Sequence, residues 1–301
     1  MSNATTAHPR DLQVIGVRYR GSRIAIDDER GLDGYIAAGV YRAAGVPFEV
    51  VEPRMPEDQR REFEPDNLGL LGGQIADQVA AARRAGRAVL MTGGDCSHIT
   101  GVVGGFQSAH GPGVRLGLIW FDAHGDFNTP KTTLSGMLGG MPVAVCAGLA
   151  YPFWREQSQI VSPLPTERIV MVDVRNLDVP EEQLIRATDV TIARVAPGFH
   201  GDQDLSEAID QLAARCDYLY LHIDSDILDQ RYVPNHGTRE PNGPDMAQVQ
   251  AAIDTVMATG KVAAYAVVSI YGSGEGSDIC RASGEELIRG GLASWRRHGM
   301  A

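Results

Sequence analysis

Short apolar runs alternate with longer amphipathic stretches along this 301-residue chain, and this alternation constrains its fold more than any other feature. The runs are apolar on both faces, which suits strands of a parallel sheet buried under helices. Helical patterns lie between them, such as Gly73–Ala85 before Gly86 and Ala247–Thr259 before Gly260. Strands that alternate with helices indicate βαβ units and an open α/β sheet. The predicted strands are Gln13–Val17, Phe48–Val51, Ala88–Met91, Leu116–Phe121, Ile169–Val174, Val190–Ala193, Tyr218–Ile223 and Ala263–Ile270.

Composition and charge limit the classes of partner. The formal net charge of −11 argues against a nucleic-acid partner, because phosphate binding needs clustered Lys and Arg. No apolar run approaches the roughly 20 residues that span a bilayer, and Met1–Arg10 lacks the pattern of a signal peptide. We therefore expect a cytoplasmic protein with no membrane partner. Without repeats or linkers, the chain is predicted to be one domain over residues 1–301, with a flexible N-terminus over 1–11. The glycine-rich stretches Gly101–Gly113 and Tyr271–Gly276 are interpreted as functional loops.

Three of the predicted strands end in a cluster of acidic, His or Cys residues. The clusters read GGDCS over Gly93–Ser97, DAHGD over Asp122–Asp126 and DSD over Asp224–Asp226. Ligands of parallel α/β sheets bind beyond the carboxyl ends of the strands. We therefore expect the three clusters to converge on one site.

The residue types in these clusters favour a metal site. Asp122, His124 and Asp126 occupy alternate positions, as do Asp224 and Asp226, so extended backbone would point each set to one side. Converging carboxylates repel unless a cation lies between them, and oxygen ligands with imidazole suit Mn²⁺ and related ions. The carboxylates are numerous enough to bridge two metals. Taken singly, a DxD pair is more typical of a cap or loop, and a cysteine of a buried apolar residue.

These motifs resemble those of the arginase/agmatinase ureohydrolases, which read GGDHS, DAHxD and SxDxDxxDP. The third stands here as HIDSDILDQ over His222–Gln230. The resemblance implies a three-layer αβα fold around a central, mostly parallel sheet, two Mn²⁺ ions, a small-molecule substrate and a homo-oligomer. It places one ion on Cys96, Asp122, Asp126 and Asp224, and the other on His124, Asp122, Asp224 and Asp226.

Two further stretches resemble the arginase segments that bind the amino-acid end of the substrate. Asp126–Gly136 (DFNTPKTTLSG) is similar to DINTPLTTTSG, and Arg175–Glu181 (RNLDVPE) is similar to RDVDPGE. Neutral donors suit a carboxylate and paired acids suit an ammonium group. The alternative is that these residues only form turns and caps. The resemblance implies α-carboxylate binding by Asn128, Thr133 and Ser135, and α-amino binding by Asp178 and Glu181.

The sequence departs from the family pattern at the reacting end of the expected site. Cys96 replaces a metal-binding His, Gly139 the His that shuttles protons, and Ser269 the Glu that binds guanidinium. Gly272 stands in place of a Pro, and Glu275 is a nearby candidate to replace the missing Glu. Because a thiolate is softer than imidazole, the Cys96 position would hold its metal differently, exchange it or lack it.

These departures favour a less basic head group than guanidinium. Cys96 and the stretch GDFNTP…LGGM also resemble the hydroxyarginine hydrolases of D-cycloserine biosynthesis. We therefore expect hydrolysis of an N-hydroxy-L-arginine-like substrate to an amine and a urea-type product, with Asp126 orienting the attacking water. Two alternatives stay open: a non-catalytic homologue that binds metal and amino acid, and a hydrolase of an amide.

Three histidines are candidates for the vacant proton-shuttle role. His236 is preferred because its loop, Asn235–Thr238, flanks the substrate in the family. For His222 a position in the core is favoured, and His98 is expected in the helix after the first motif.

Overall fold

The computed structural model describes residues 11–300, so the predicted flexible segment 1–11 lies outside the described residues except for Asp11. The strands in this range are β1 Leu12–Val17, β2 Tyr19–Arg20, β3 Arg23–Ile24, β4 Phe48–Val51, β5 Ala88–Gly93, β6 Leu116–Phe121, β7 Ile169–Val172, β8 Thr191–Arg194, β9 Gln203–Asp204, β10 Tyr218–Asp224 and β11 Val262–Val268. The helices are α1 Leu32–Ala38, α2 Glu64–Arg84, α3 Ile99–His110, α4 Pro142–Cys146, α5 Pro152–Gln157, α6 Val179–Arg186, α7 Leu205–Arg215, α8 Met246–Met257 and α9 Ser277–His298.

Nine of the strands form a single sheet in the order β4-β1-β5-β11-β10-β6-β7-β8-β9. Every pairing in this sheet is parallel, whereas β2 and β3 form a separate antiparallel pair. All eight predicted strands are present, with ends within two residues of those expected. The sequence pattern did not predict β2, β3 or β9, each of which has only two residues.

Helices cover both faces of the sheet, which gives the predicted three-layer αβα architecture. Alternate residues of β6 point to opposite faces, with Ile119 and Phe121 in one hydrophobic core and Leu118 and Trp120 in the other. The first core is completed by α1, α7, α8 and α9, and the second by α2 to α6. Among residues 11–300, no helix combines the length and apolarity that a membrane span requires.

The interpretation of Gly101–Gly113 as a loop is wrong, because most of it forms α3. A Cβ on Gly101 would lie 2.7 Å from the carbonyl oxygen of Gly72 in α2, and one on Gly105 would lie 2.4 Å from Cβ of Val79. The glycines therefore permit close approach of two helices, and tertiary packing outweighs their low helix propensity.

Candidate active site

The three sequence motifs follow strands that lie close together in the sheet. The carboxyl ends of β5, β10 and β6 carry them, with only β11 between β5 and β10. Gly93 and Gly94 turn the chain out of β5 with φ of +73° and +64°. A Cβ on Gly93 would lie 2.7 Å from the carbonyl oxygen of Val17, so the turn requires glycine. The clusters converge at one edge of the sheet, as the sequence predicted.

Cys96 lies among the carboxylates. Its Sγ is 2.9 Å from Oδ2 of Asp224 and 3.6 Å from Oδ2 of Asp122. Potential ligand atoms of Cys96, Asp122 and Asp126 all lie within 4.8 Å of one another. Asp126 reaches this position with a left-handed backbone, φ +47°. The residues assigned to the first ion are thus close enough to share a cation.

His124 and His236 contact the carboxylates of the same cluster. The Nδ1 of His124 is 3.3 Å from Oδ1 of Asp122 and 3.2 Å from Oδ2 of Asp226. The Nε2 of His236 is 3.3 Å from Oδ1 of Asp224. Asp224, Asp226 and His236 also offer ligand atoms within 4.8 Å of one another. His236 therefore lies at the cluster itself, although the sequence assigned it no ligand role.

The electrostatics of the cluster fit the binding of cations. Burial, together with repulsion from Asp226, Asp126 and Asp224, raises the pKa of Asp122 well above its usual value. Burial alone would lower the pKa of His124, but hydrogen bonds to Asp122 and Asp226 raise it to about 12. The Nε2 of His236 is buried and faces Oδ1 of Asp224 at 3.3 Å, without a hydrogen bond of good geometry to any of residues 11–300. Cations between these groups would offset the repulsion among the carboxylates.

His222 contacts the thiol of Cys96 and is a core residue. Its ring stacks on Trp120 with centroids 4.3 Å apart, and its Nε2 is 3.4 Å from Sγ of Cys96. Burial lowers the pKa of His222 to about 3, so the ring is neutral. The hydroxyl of Tyr220 is 2.8 Å from Nδ1 and can donate to it, which leaves Nε2–H directed at the sulfur. The preference for a core role is therefore supported by this packing.

His98 lies in the turn Cys96–His98, just before α3, and serves the local structure. Its Nδ1 accepts the backbone N–H of Asp95 at 3.0 Å, and its Nε2 donates to the carbonyl of Gly21 at 2.9 Å. Both ring nitrogens are occupied, so His98 is not available for proton transfer.

A cavity of about 1090 Å³ opens over the cluster and includes every residue expected at the amino-acid end. Its wall contains Asn128, Thr133, Ser135, Asp178 and Glu181. Asp178 and Glu181 also form a capping box at the start of α6. The side chains that could bind an amino acid therefore also organise the local backbone.

Hydrogen bonds hold these side chains in place. Oδ2 of Asp178 accepts the side-chain amide of Asn128 and the backbone N–H of Leu134, each at 3.3 Å. Oε1 of Glu181 accepts the N–H of Phe127 at 2.8 Å. The side-chain oxygens of Thr133 and Ser135 accept the N–H groups of Gly136 and Met137. Both hydroxyls keep their protons available to a ligand.

The reacting end of the cavity lacks the family's acid and histidine. Gly139 and Ser269 both line it, and a Cβ on Gly139 would meet nothing closer than 3.9 Å. Glu275 is exposed and does not line the cavity, so the suggestion that it replaces the missing Glu is wrong. It belongs to the turn before α9, which directs it to solvent.

The cavity wall also contains residues to which the sequence analysis gave no role in binding or catalysis, among them Arg30, Glu240 and Tyr271. Oε1 of Glu240 is 3.4 Å from Nε2 of His124. The ring of Tyr271 lies edge-on to His236 with centroids 5.0 Å apart. Each lies in a loop or turn, and no local motif identifies it. The available signals were the position of Glu240 in the loop after β10 and that of Tyr271 in the glycine-rich loop Tyr271–Gly276.

Comparison with known proteins identifies the family. The arginase family model matches residues 43–281. The arginase of Neurospora crassa is 26% identical over 283 residues, which cover 88% of this chain and 79% of that protein. The arginase of Bacillus caldovelox is 33% identical over 167 residues, 55% of each chain. The crystal structure of Entamoeba histolytica arginase in complex with L-ornithine superimposes with a TM-score of 0.80 over 95% of this chain and 99% of that chain, at 20% identity. This chain belongs to the arginase family of hydrolases.

Proposed function

We propose that the protein is a manganese-dependent amidinohydrolase whose favoured substrate is N-hydroxy-L-arginine or a similar hydroxyguanidino amino acid. One observation carries the proposal. A single cavity joins the buried Cys–Asp–His cluster to a wall of neutral donors and paired acids, yet has Ser269 where the family binds guanidinium with Glu. Membership of the arginase family supports hydrolysis of a guanidino-type group.

The metal ions would be held by the residues that converge at the sheet edge. Oxygen and imidazole donors favour Mn²⁺, and the thiol of Cys96 marks the position expected to hold its ion less tightly or exchange it. Bound cations would supply Lewis-acid activation of water and of the guanidino carbon. The proposed ligands are Cys96, Asp122, His124, Asp126, Asp224 and Asp226, with His236 within reach of the same cations.

Two residues of the chain would handle the proton of the attacking water. Asp126 is a buried carboxylate on the cavity wall, and it would orient the water by accepting its hydrogen bond. His236 also lines the cavity, and its buried Nε2 lies 3.3 Å from Oδ1 of Asp224. It would take up and release a proton at that atom.

The amino-acid end of the substrate would be fixed by the opposite wall. Entamoeba histolytica arginase binds L-ornithine, an α-amino acid, in the same fold. In this chain, the α-carboxylate of such a substrate would accept hydrogen bonds from Asn128, Thr133 and Ser135. Its α-ammonium group would donate to Asp178 and Glu181. This end would hold the reacting carbon over the cluster.

The reacting end of the cavity lacks the Glu and the His of the family, and this absence indicates which head group the substrate carries. A guanidinium carries a full charge and is best bound by a carboxylate. A hydroxyguanidine is less basic, so it needs no fixed acid, and it can supply an acidic proton of its own. The pair Gly139 and Ser269 therefore favours the hydroxylated substrate over arginine.

A substrate panel tests the proposal. The Mn²⁺-loaded protein would be assayed with N-hydroxy-L-arginine, L-arginine and agmatine, which lacks the α-carboxylate. We expect the highest kcat/KM for N-hydroxy-L-arginine and the lowest for agmatine. Turnover of an amide but of no guanidino compound would contradict the proposal and favour an amide hydrolase. Tight binding of metal and amino acid without turnover would favour a non-catalytic homologue.

The homo-oligomer stays a prediction. Sedimentation of the same sample would test it.

A further inference from the structure

A buried arginine lies on the wall of the cavity that lacks the family's acid. Arg30 is 1% exposed and lines the cavity together with Ser269 and Tyr271. Its Cζ lies 4.9 Å from the centroid of the Tyr271 ring. Within residues 11–300, its Nε and Nη1 have no hydrogen-bond partner, and its Nη2 is 3.6 Å from Oε1 of Glu29. Most of its N–H donors are therefore buried without an acceptor.

Neighbouring acids do not account for these donors. Oε1 of Glu29, the nearer acid, also pairs with Arg20 at 3.1 Å, and it lies near Nη2 of Arg30 alone. Asp95 is a partly buried carboxylate nearby, and its charge and that of Arg30 attract each other. However, Asp95 accepts from the N–H of Gly21 at 2.7 Å, from the N–H of Ser97 at 3.2 Å and from the Ser97 hydroxyl. It makes no hydrogen bond to Arg30. A buried guanidinium with unpaired donors is costly unless a ligand supplies acceptors.

The turn that carries Arg30 is built against the altered end of β11. The N–H of Gly272 donates to the carbonyl of Glu29 at 2.9 Å. A Cβ on Gly272 would lie 2.2 Å from the carbonyl oxygen of Asp28. A proline at this position, as in the family motif, would lack the N–H and would clash. The change at Gly272 therefore lets the Arg30 turn dock beside the segment that carries Ser269.

We propose that Arg30 is a specificity-determining residue that donates hydrogen bonds to an oxygen carried on the reacting end of the substrate. The class of substrate is an N-oxygenated guanidine. A guanidinium head group would be repelled by Arg30, whereas a neutral hydroxyguanidine offers an oxygen acceptor to its unpaired donors. This inference rests on the proposed function, since it names the feature of the head group that the site selects.

Two arginine variants test the inference. Arg30→Met removes the charge and donors but keeps much of the apolar length of the side chain. Arg54→Met is the matched control, because Arg54 is a surface arginine, 57% exposed and paired with Glu52, and it does not line the cavity. We expect Arg30→Met to lower kcat/KM for N-hydroxy-L-arginine by about 10- to 100-fold. Turnover of L-arginine should be unchanged or higher, and Arg54→Met should alter neither.

Arg30→Lys separates charge from geometry, because lysine keeps the charge but lacks the planar fork of donors. We expect it to restore only part of the preference. If Arg30→Met lowered kcat/KM equally for N-hydroxy-L-arginine and L-arginine, or for neither, Arg30 would not be a specificity-determining residue. Thermal unfolding of each variant identifies any that fail to fold, and Arg30→Lys then serves as the test variant.

Binding calorimetry distinguishes this inference from the proposed function. If the wild type turns over neither substrate, the proposed function fails, and affinity still tests Arg30. Tighter binding of N-hydroxy-L-arginine than of L-arginine, lost in Arg30→Met, would support the inference. Equal affinities in the wild type, or a preference that survives in Arg30→Met, would refute it.

Discussion

Glu181 offers a sharp test of whether the amino-acid wall of the cavity binds substrate or only caps a helix. Its Oε1 accepts the N–H of Phe127 at 2.8 Å, and its Oε2 is 3.4 Å from the N–H of Asp178. Glu181→Ala would leave the first donor buried without an acceptor, which costs about 1–3 kcal/mol. Loss of the capping box adds about 1 kcal/mol. We expect the free energy of unfolding to fall by roughly 2–4 kcal/mol.

Glu181→Gln separates the two roles. The amide oxygen can still accept from Phe127, so the loss of stability should stay below about 1 kcal/mol. Burial raises the pKa of Glu181, and an ammonium partner would stabilise its ionised form. A hydrogen bond to a charged group contributes about 1.5–3 kcal/mol. We therefore expect Glu181→Gln to weaken binding of L-ornithine by roughly 10- to 150-fold.

Urea unfolding measures the stabilities and calorimetry measures L-ornithine binding, both on Mn²⁺-loaded protein. Glu182→Gln is the control, because Glu182 pairs with Arg186 on the surface one residue further along α6. Wild-type affinity in Glu181→Gln would refute the ammonium role and leave capping as its only function. Wild-type stability in Glu181→Ala would refute the hydrogen-bond argument.

Three more substitutions test other parts of the account. Gly139→His has room for its side chain, since a Cβ meets nothing closer than 3.9 Å. It should raise kcat for L-arginine by about 10- to 100-fold by restoring a general acid–base group, which steady-state kinetics would measure. His236→Asn should lower kcat much more than it changes KM, and an unchanged kcat would eliminate His236 as a proton carrier. Gly104→Ala would place Cβ 1.7 Å from the carbonyl oxygen of Ser158, so we expect a loss of about 3 kcal/mol in urea unfolding. Gly113→Ala, with nothing within 4 Å of its Cβ, is its control, and an equal loss in both would contradict the packing argument.

The sheet and the convergence of the Cys, Asp and His side chains could be predicted because local sequence determines both. Buried parallel strands read as apolar runs, and the residues that follow β5, β6 and β10 need only the shared direction of the strands to converge. The motifs alone therefore suffice to assign Cys96, Asp122 and Asp224 to one site.

Other features of the fold and of the site could not be predicted, because they depend on contacts between distant segments. The glycines of α3 favour a loop by propensity, but Gly104 and Gly105 are needed where α3 meets the Ser158 loop and α2. No local pattern identifies Arg30 as a cavity residue, because its position depends on docking of its turn against Gly272. The sequence places His236 near the substrate from its loop, but its approach to Asp224 and Asp226 depends on how that loop folds back.

Metal stoichiometry decides whether the converging side chains of Cys96, the aspartates and His124 hold cations. Wild type and Asp122→Asn would be loaded with Mn²⁺, freed of unbound ions and analysed by mass spectrometry, with circular dichroism to confirm folding. Asp122 is within reach of both Cys96 and His124, so its neutral variant should lose metal from both positions. We expect about two ions in the wild type, or about one if the Cys96 position exchanges readily, and far less in Asp122→Asn. A folded wild type that binds no divalent metal, or an Asp122→Asn variant that binds as much as the wild type, would contradict this expectation.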